Sequence, residues 1–186
     1  EPRLIMLVTI REYGRECLAA SGEMEAIQQA HAAYYLALAE EAETELGGPQ
    51  LVFWLDRLEQ EHDNIWAALQ WLLEQSKSEG STGGTNEGLS AEMALRFSIA
   101  LERFWIVRGY RSEGRSILEW ALANNKGVAT PVRAKALITA ARLAFSQSDY
   151  EHGEMLAREG MALFRELGDI RGCLLYTSDA ADDLTR

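Results

Sequence analysis

Apolar residues recur along this chain at steps of three and four, from about residue 10 to residue 167. That period belongs to helices that bury one face, and strict alternation is almost absent after residue 10. The run RLIMLVTI (3–10) is the exception, a short β-branched stretch that reads as a strand turning into helix near Thr9. TIREYGRECLAASG then reads as helix, with Ile10, Tyr13, Cys17 and Leu18 on one face and Ser21-Gly22 at its end. Residues 23–46 form a long helix on which Ile27, Ala30, Tyr34, Leu38 and Ala42 make one apolar stripe. Gly47-Gly48-Pro49 breaks it and opens a helix carrying LVFWLDRLEQ. Asp63 or Asn64 caps the next, whose buried side is Ile65, Trp66, Leu69, Leu72 and Leu73.

SKSEGSTGGTNEG (76–88) has no apolar anchor and reads as a flexible loop. Four helices follow. Helix 90–108 buries Met93, Phe97, Ala100, Phe104 and Val107, and helix 112–124 buries Gly114, Ile117, Leu118, Ala121 and Leu122. Thr130-Pro131 is a cap with proline at the first helical position, opening helix 131–146 with Ala134, Leu137, Ile138, Ala141 and Phe145 inward. Helix 149–167 buries Gly153, Leu156, Gly160, Leu163 and Phe164, and Gly168 closes it. The fold class is all-α.

Two segments repeat one another. RGYRSEGRSILEWAL (108–122) aligns with QSDYEHGEMLAREGM (147–161), placing Gly114 on Gly153, Ala121 on Gly160 and Leu122 on Met161. Each follows a longer helix after a tight turn, the pattern of stacked antiparallel hairpins. Small residues at these places let helix backbones cross closely.

Charge narrows the function. The net charge is −11 and the pI about 4.8. Nucleic-acid binding draws its affinity from Lys and Arg on phosphates, so direct nucleic-acid contact is not expected. No apolar run approaches the ~20 residues of a membrane span, and no signal peptide is visible. Two cysteines, Cys17 and Cys173, are no disulfide framework and fit a reducing, cytoplasmic setting. The opening on Glu1 rather than methionine reads as a fragment.

Candidate chemistry is sparse. GSTGGTNEG lacks the G-K-[ST] ending of a phosphate loop. Glu59 with His62, and Asp149 with His152, have the spacing of di-iron ligands, but both pairs sit at helix starts, where acids serve as caps. His31 reads as a packed or half-exposed histidine and Cys17 as a small core residue. No catalytic, cofactor-binding or metal-ligating residue is assigned.

DYEHGEMLAREGMALFRELGD resembles the second helix of a tetratricopeptide repeat, with Ser148 where a turn glycine is usual and Gly153 where alanine is usual. Both departures should loosen that hairpin. MLVTIREYGRECLAASGEMEAIQQAHAAYYLALAEEAE resembles the segment leaving the winged-helix subdomain of STAND-class signalling ATPases, relatives of the NB-ARC ATPases. WLDRLEQEHDNIWAALQWLLE and RFWIVRGYRSEGR resemble the helices that follow and the first repeat of the sensor arm. The likeness runs over residues 3–172.

The resemblance implies an organisation. Residues 1–22 would end a winged helix, 23–76 would be connecting helices, 77–88 a linker, and 89–172 tetratricopeptide-like repeats. The fold would be an α-solenoid of stacked hairpins with a short winged-helix remnant. The segment would be non-catalytic and carry no cofactor. Its partners would be a protein or small inducer and an upstream ATPase domain of the same chain, in a bacterial LuxR- or SARP-type transcription regulator that hydrolyses ATP. Inner helices of such arms line a concave surface, which makes Arg103, Trp105, Arg108 and Arg111 the candidate partner-binding residues. The alternatives are a metal-binding helical-bundle enzyme and a ligand-free scaffold. The tail from Cys173 to Arg186 back-translates to a string resembling the transposase adapter of sequencing libraries, and is expected to be an artefact.

Overall fold

The computed structural model describes residues 6–78, 85–124 and 130–169. Among them are eight helices and no strand: α1 (Val8–Ser21), α2 (Met24–Glu45), α3 (Leu51–Gln60), α4 (His62–Ser78), α5 (Thr85–Arg108), α6 (Arg111–Asn124), α7 (Pro131–Ser146) and α8 (Tyr150–Glu166). The tail 173–186 lies outside the described residues. No helix among the described residues is long and apolar enough to cross a membrane.

Local sequence accounts for most boundaries. Thr130 caps α7 through its side chain, which accepts from the Arg133 amide, and Pro131 occupies the first turn. The α5–α6 turn places Gly109 at φ 93°, and Gly168 ends α8 at φ 69°. The α7–α8 turn does the same with a serine, Ser148 at φ 62°. There the Ser148 amide donates to Phe145 at 2.9 Å and the Asp149 amide to Ala144 at 3.0 Å, the paired bonds of a Schellman motif.

Other boundaries depart from expectation. Helix begins at Val8, and the strand of the 3–8 run, expected to be frayed or absent without its sheet partners, is not seen among the described residues, which begin at residue 6. Helix enters the stretch expected as a linker (77–88) from both sides, α4 running to Ser78 and α5 beginning at Thr85, because extending a formed helix adds one hydrogen bond per residue; residues 79–84 lie outside the described residues. α4 starts at His62, before either expected cap. Glu61 alone separates α3 from α4, accepting from Tyr35 Oη at 2.9 Å and Asn64 Nδ2 at 2.6 Å.

α5 is the centre of the core, packed against α2, α4, α6 and α7, while α8 packs on α7. Phe97, Leu101 and Phe104 of α5 are fully buried, as are Leu58, Leu69, Leu72, Leu118 and Leu143. The expected inner face of α6 is the observed one, residue for residue. On α2 the stripe is displaced. Tyr35, Leu36, Leu38, Ala39 and Ala42 are buried, whereas Ile27, Ala30 and Tyr34 are exposed. Val107 and Cys17, both expected inside, are also exposed, and Phe145 is 37% exposed. α1 buries no residue and packs lightly against α2.

Two helix crossings use the expected small residues. A Cβ on Gly114 would clash with the Trp105 ring at Cε3 and Cδ2, and one on Gly153 would lie 2.5 Å from Phe145 Cε1. A Cβ on Gly160 would sit 3.0 Å from Ile138 Cδ1.

Candidate functional site

The four candidate partner-binding residues do not form one patch. Arg103 and Arg111 are exposed, on α5 and at the first position of α6. Trp105 is 2% exposed, its ring filling the notch left by Gly114. A ring so buried cannot be offered to a partner, so its place among surface residues is corrected: it is a core anchor of the α5–α6 crossing. Arg108 turns toward α3, paired with Asp56 and with its Nε 3.7 Å from Glu59 Oε2.

Around Arg108 the α5–α6 turn meets the α3–α4 junction. The Tyr110 ring stacks on His62 at 4.4 Å between centroids, and His62 faces Trp66 at 6.4 Å. Tyr110 Oη donates to Glu59 Oε1 at 2.7 Å, and that bond is the main reason its phenol is pushed above its ordinary value. The corner is a clasp of stacked rings and paired charges. It holds the turn to the preceding helix and presents no nucleophile with an adjacent base.

The α7–α8 turn is held in a corresponding way. Arg115 of α6 donates from Nη2 to Asp149 at 2.6 Å, from Nη1 to Gln147 at 3.1 Å and from Nε to Glu119 at 2.7 Å. The Arg115 guanidinium holds the Asp149 carboxyl below the usual carboxylate range. His152 Nε2 lies 3.1 Å from Glu119 Oε1. The two acid–histidine pairs thus belong to different corners, each engaged in tying a turn. Among the described residues no three His, Cys, Asp or Glu side chains gather as metal ligands do. His31 is half-buried against Tyr35, ring centroids 4.7 Å apart, and burial lowers its pKa.

A shallow groove of about 270 Å³ lies between α2, α5 and α7. Its floor is Arg96 and Ile99 of α5, and its walls are Glu40 and Glu43 of α2 with Pro131, Val132 and Lys135 of α7. Glu40 pairs with Arg96 at 2.6 Å, and Glu43 reaches across α5 to Lys135 at 2.7 Å. One and two turns further along, Glu102 of α5 pairs with Arg142 of α7 at 2.5 Å. Glu102 is 8% exposed, and burial raises its pKa despite the opposing Arg142 charge.

Sequence reasoning missed these groove residues. Their pairing joins positions 56 and 92 residues apart, and no local spacing marks it. Comparison with family models, curated proteins and solved structures returns no match.

Proposed function

We propose that the chain is a non-catalytic sensor or protein-interaction segment of a bacterial STAND-type, ATP-dependent transcription regulator, built from stacked helical hairpins. The observation that carries this reading is the structural repeat. Gly109 and Ser148, 39 residues apart, both adopt left-handed backbone at a hairpin turn. Five residues beyond each stands a glycine, Gly114 or Gly153, seated under an aromatic ring of the preceding helix. Each turn is also tied by polar side chains to an earlier helix. Such recurrence supports hairpins that each use the same contacts to dock on the one before.

The packing order supports a stack as well. α5 packs on α6 and α7, α6 on α7, and α7 on α8, each with its near neighbours in sequence. In this reading α2, α5 and α7 form the inner layer, and the groove between them receives a protein or small inducer, with Arg103 exposed on the same α5 helix. Arg108 serves the scaffold instead. α1 is the exit from a winged helix and would be covered by domains encoded upstream.

The di-iron alternative gains no support, since the two acid–histidine pairs are committed to separate corners. The test is to sequence the source locus on both sides of this reading frame. The proposal expects an in-frame P-loop upstream, further helical hairpins downstream, and no adapter-like codons after Gly172. A locus with neither P-loop nor further hairpins would overturn it.

A further inference from the structure

α1 and the first half of α2 each carry an apolar face left open among the described residues. α1 has 14 residues and buries none, Leu18 alone being partly buried. A helix of about that length is marginal in water unless one face is packed. Leu7 at its N-cap, Ile10, Gly14 and Cys17 fall at steps of three and four on one side, and all are exposed. On α2, Ile27, Ala30, Tyr34 and Ala37 follow the same steps on a side turned away from the core, and they too are exposed. Between Glu25 and Glu40 α2 holds no Asp, Glu, Lys or Arg, so this side is poorly suited to water.

Gly22 joins the two helices in left-handed backbone, φ 78°. When such a pair folds back as an antiparallel hairpin, residues equidistant from the hinge face each other. Cys17 then meets Ile27, Gly14 meets Ala30, Ile10 meets Tyr34 and Leu7 meets Ala37. The two stripes coincide at every level, and the smallest pair, Gly14 with Ala30, lets the backbones approach. Glu12 and Arg15 fall on the opposite side of α1, clear of the contact. Gly14 is an independent sign of the same arrangement. A glycine inside a helix costs stability, yet among the described residues nothing lies within 4 Å of where its Cβ would stand. Gly114, Gly153 and Gly160, also inside helices, each leave room for a neighbour's side chain. Gly14 leaves the same room with no neighbour in it.

We propose that α1 is a strap that closes on α2 by rotation about Gly22, seating Leu7, Ile10, Gly14 and Cys17 on Ala37, Tyr34, Ala30 and Ile27, and that the structure holds it open. The local bonds it disturbs, from the Ser21 hydroxyl to Leu18 and from the Glu23 amide to Ser21, are exposed, so water replaces them. Closure brings the start of α1 to Ala37, on the helix whose next turns supply Glu40 and Glu43 to the groove wall. The position of α1 is thereby coupled to one side of the groove. The strap goes beyond the proposed function and does not depend on it. It uses one face of α1 and leaves the opposite face, with Val8 and Arg15, to the upstream domains of that reading.

The test uses the full chain in a Cys17→Ala/Cys173→Ala background, spin-labelled at exposed Glu12→Cys on α1 and Thr44→Cys on α2. Helix rise and interaxial spacing put these sites about 20–30 Å apart when α1 is folded back, and beyond about 35 Å when the helices are splayed at a right angle or wider. Pulsed electron-spin measurements should find the short-distance population, and diluting labelled with unlabelled chain should leave it unchanged. Gly14→Leu fills the crossing and should cut that population at least about fivefold, the effect of over-packing one contact. Arg15→Leu, on the far side of α1, should leave it as it was. Neither change touches the core, because α1 buries no residue, and circular dichroism confirms the fold. Absence of the short population, its persistence in Gly14→Leu, or its loss on dilution, which would place the α1 of a second copy on α2, would each overturn the strap.

Discussion

Replacing Ser148 by glycine should make this protein more stable, although the change removes atoms and adds no contact. Ser148 holds φ 62° at the turn between α7 and α8. For an L-residue with a Cβ, that conformation costs roughly 1–2 kcal/mol. Glycine removes the cost, but it also widens the unfolded ensemble, which returns roughly 0.5–1 kcal/mol. The net gain is about 0.5–1 kcal/mol, or about 1–4 °C in Tm for a chain of this size. The serine side chain is exposed and its hydroxyl makes no hydrogen bond among the described residues, so nothing else is lost. Ser148→Ala is the control, because it keeps the Cβ and hence the strain. Urea denaturation followed by circular dichroism, compared at a common m-value, resolves the difference as a midpoint shift of a few tenths molar. If Ser148→Gly is no more stable than Ser148→Ala, backbone strain at this turn is not what the dihedral implies.

Gly114→Ala should destabilise by about 1–3 kcal/mol, even after the helix-propensity gain, because the Trp105 ring it meets is 2% exposed and has nowhere to move. Gly153→Ala should stay within about 1 kcal/mol of wild type, since Phe145 is 37% exposed and can swing aside. Thermal denaturation of the two variants side by side checks the contrast. Thr130→Ala removes the acceptor for the Arg133 amide and should cost about 1 kcal/mol by the same assay, with Thr130→Ser close to wild type. Tyr35 should titrate late, its phenol pushed up to about 12 by burial and by its bond to Glu61. Its contribution is complete below pH 10 and lost as pH rises from about 10 toward 12, which ultraviolet difference titration against Tyr35→Phe detects.

Helix positions were legible where each helix has one unambiguous face. On α6 the apolar residues fall at 114, 117, 118, 121 and 122 between charged neighbours, and all five are buried. α2 is different. From Ala26 to Ala39 it is apolar at nearly every turn on more than one side, so its period points weakly. The choice between Tyr34 and Tyr35 is made by Glu61, 26 residues away, which accepts the Tyr35 hydroxyl. Trp105 shows the same limit at the candidate site. Its flanking arginines suggested a surface, while the deciding partner is the absent side chain at Gly114 in the next helix. A glycine inside a helix, one turn after an aromatic-ended helix, was the available signal. The groove charges had none, because the helices that bring them together are far apart in sequence.

The bridge from Lys135 to Glu43 bears on the order in which the chain assembles. It closes a span of 92 residues, and the Arg96–Glu40 pair closes one of 56. The α7–α8 pair, by contrast, joins neighbours across a three-residue turn, Gln147 to Asp149. Loop-closure entropy makes the long spans unfavourable until the intervening helices have condensed. The α7–α8 pair can therefore nucleate early, and α2 docks late onto a face already built by α5 and α7. Substitutions in α2 should then speed unfolding while leaving the refolding rate nearly unchanged, and substitutions at the α7–α8 crossing should slow refolding.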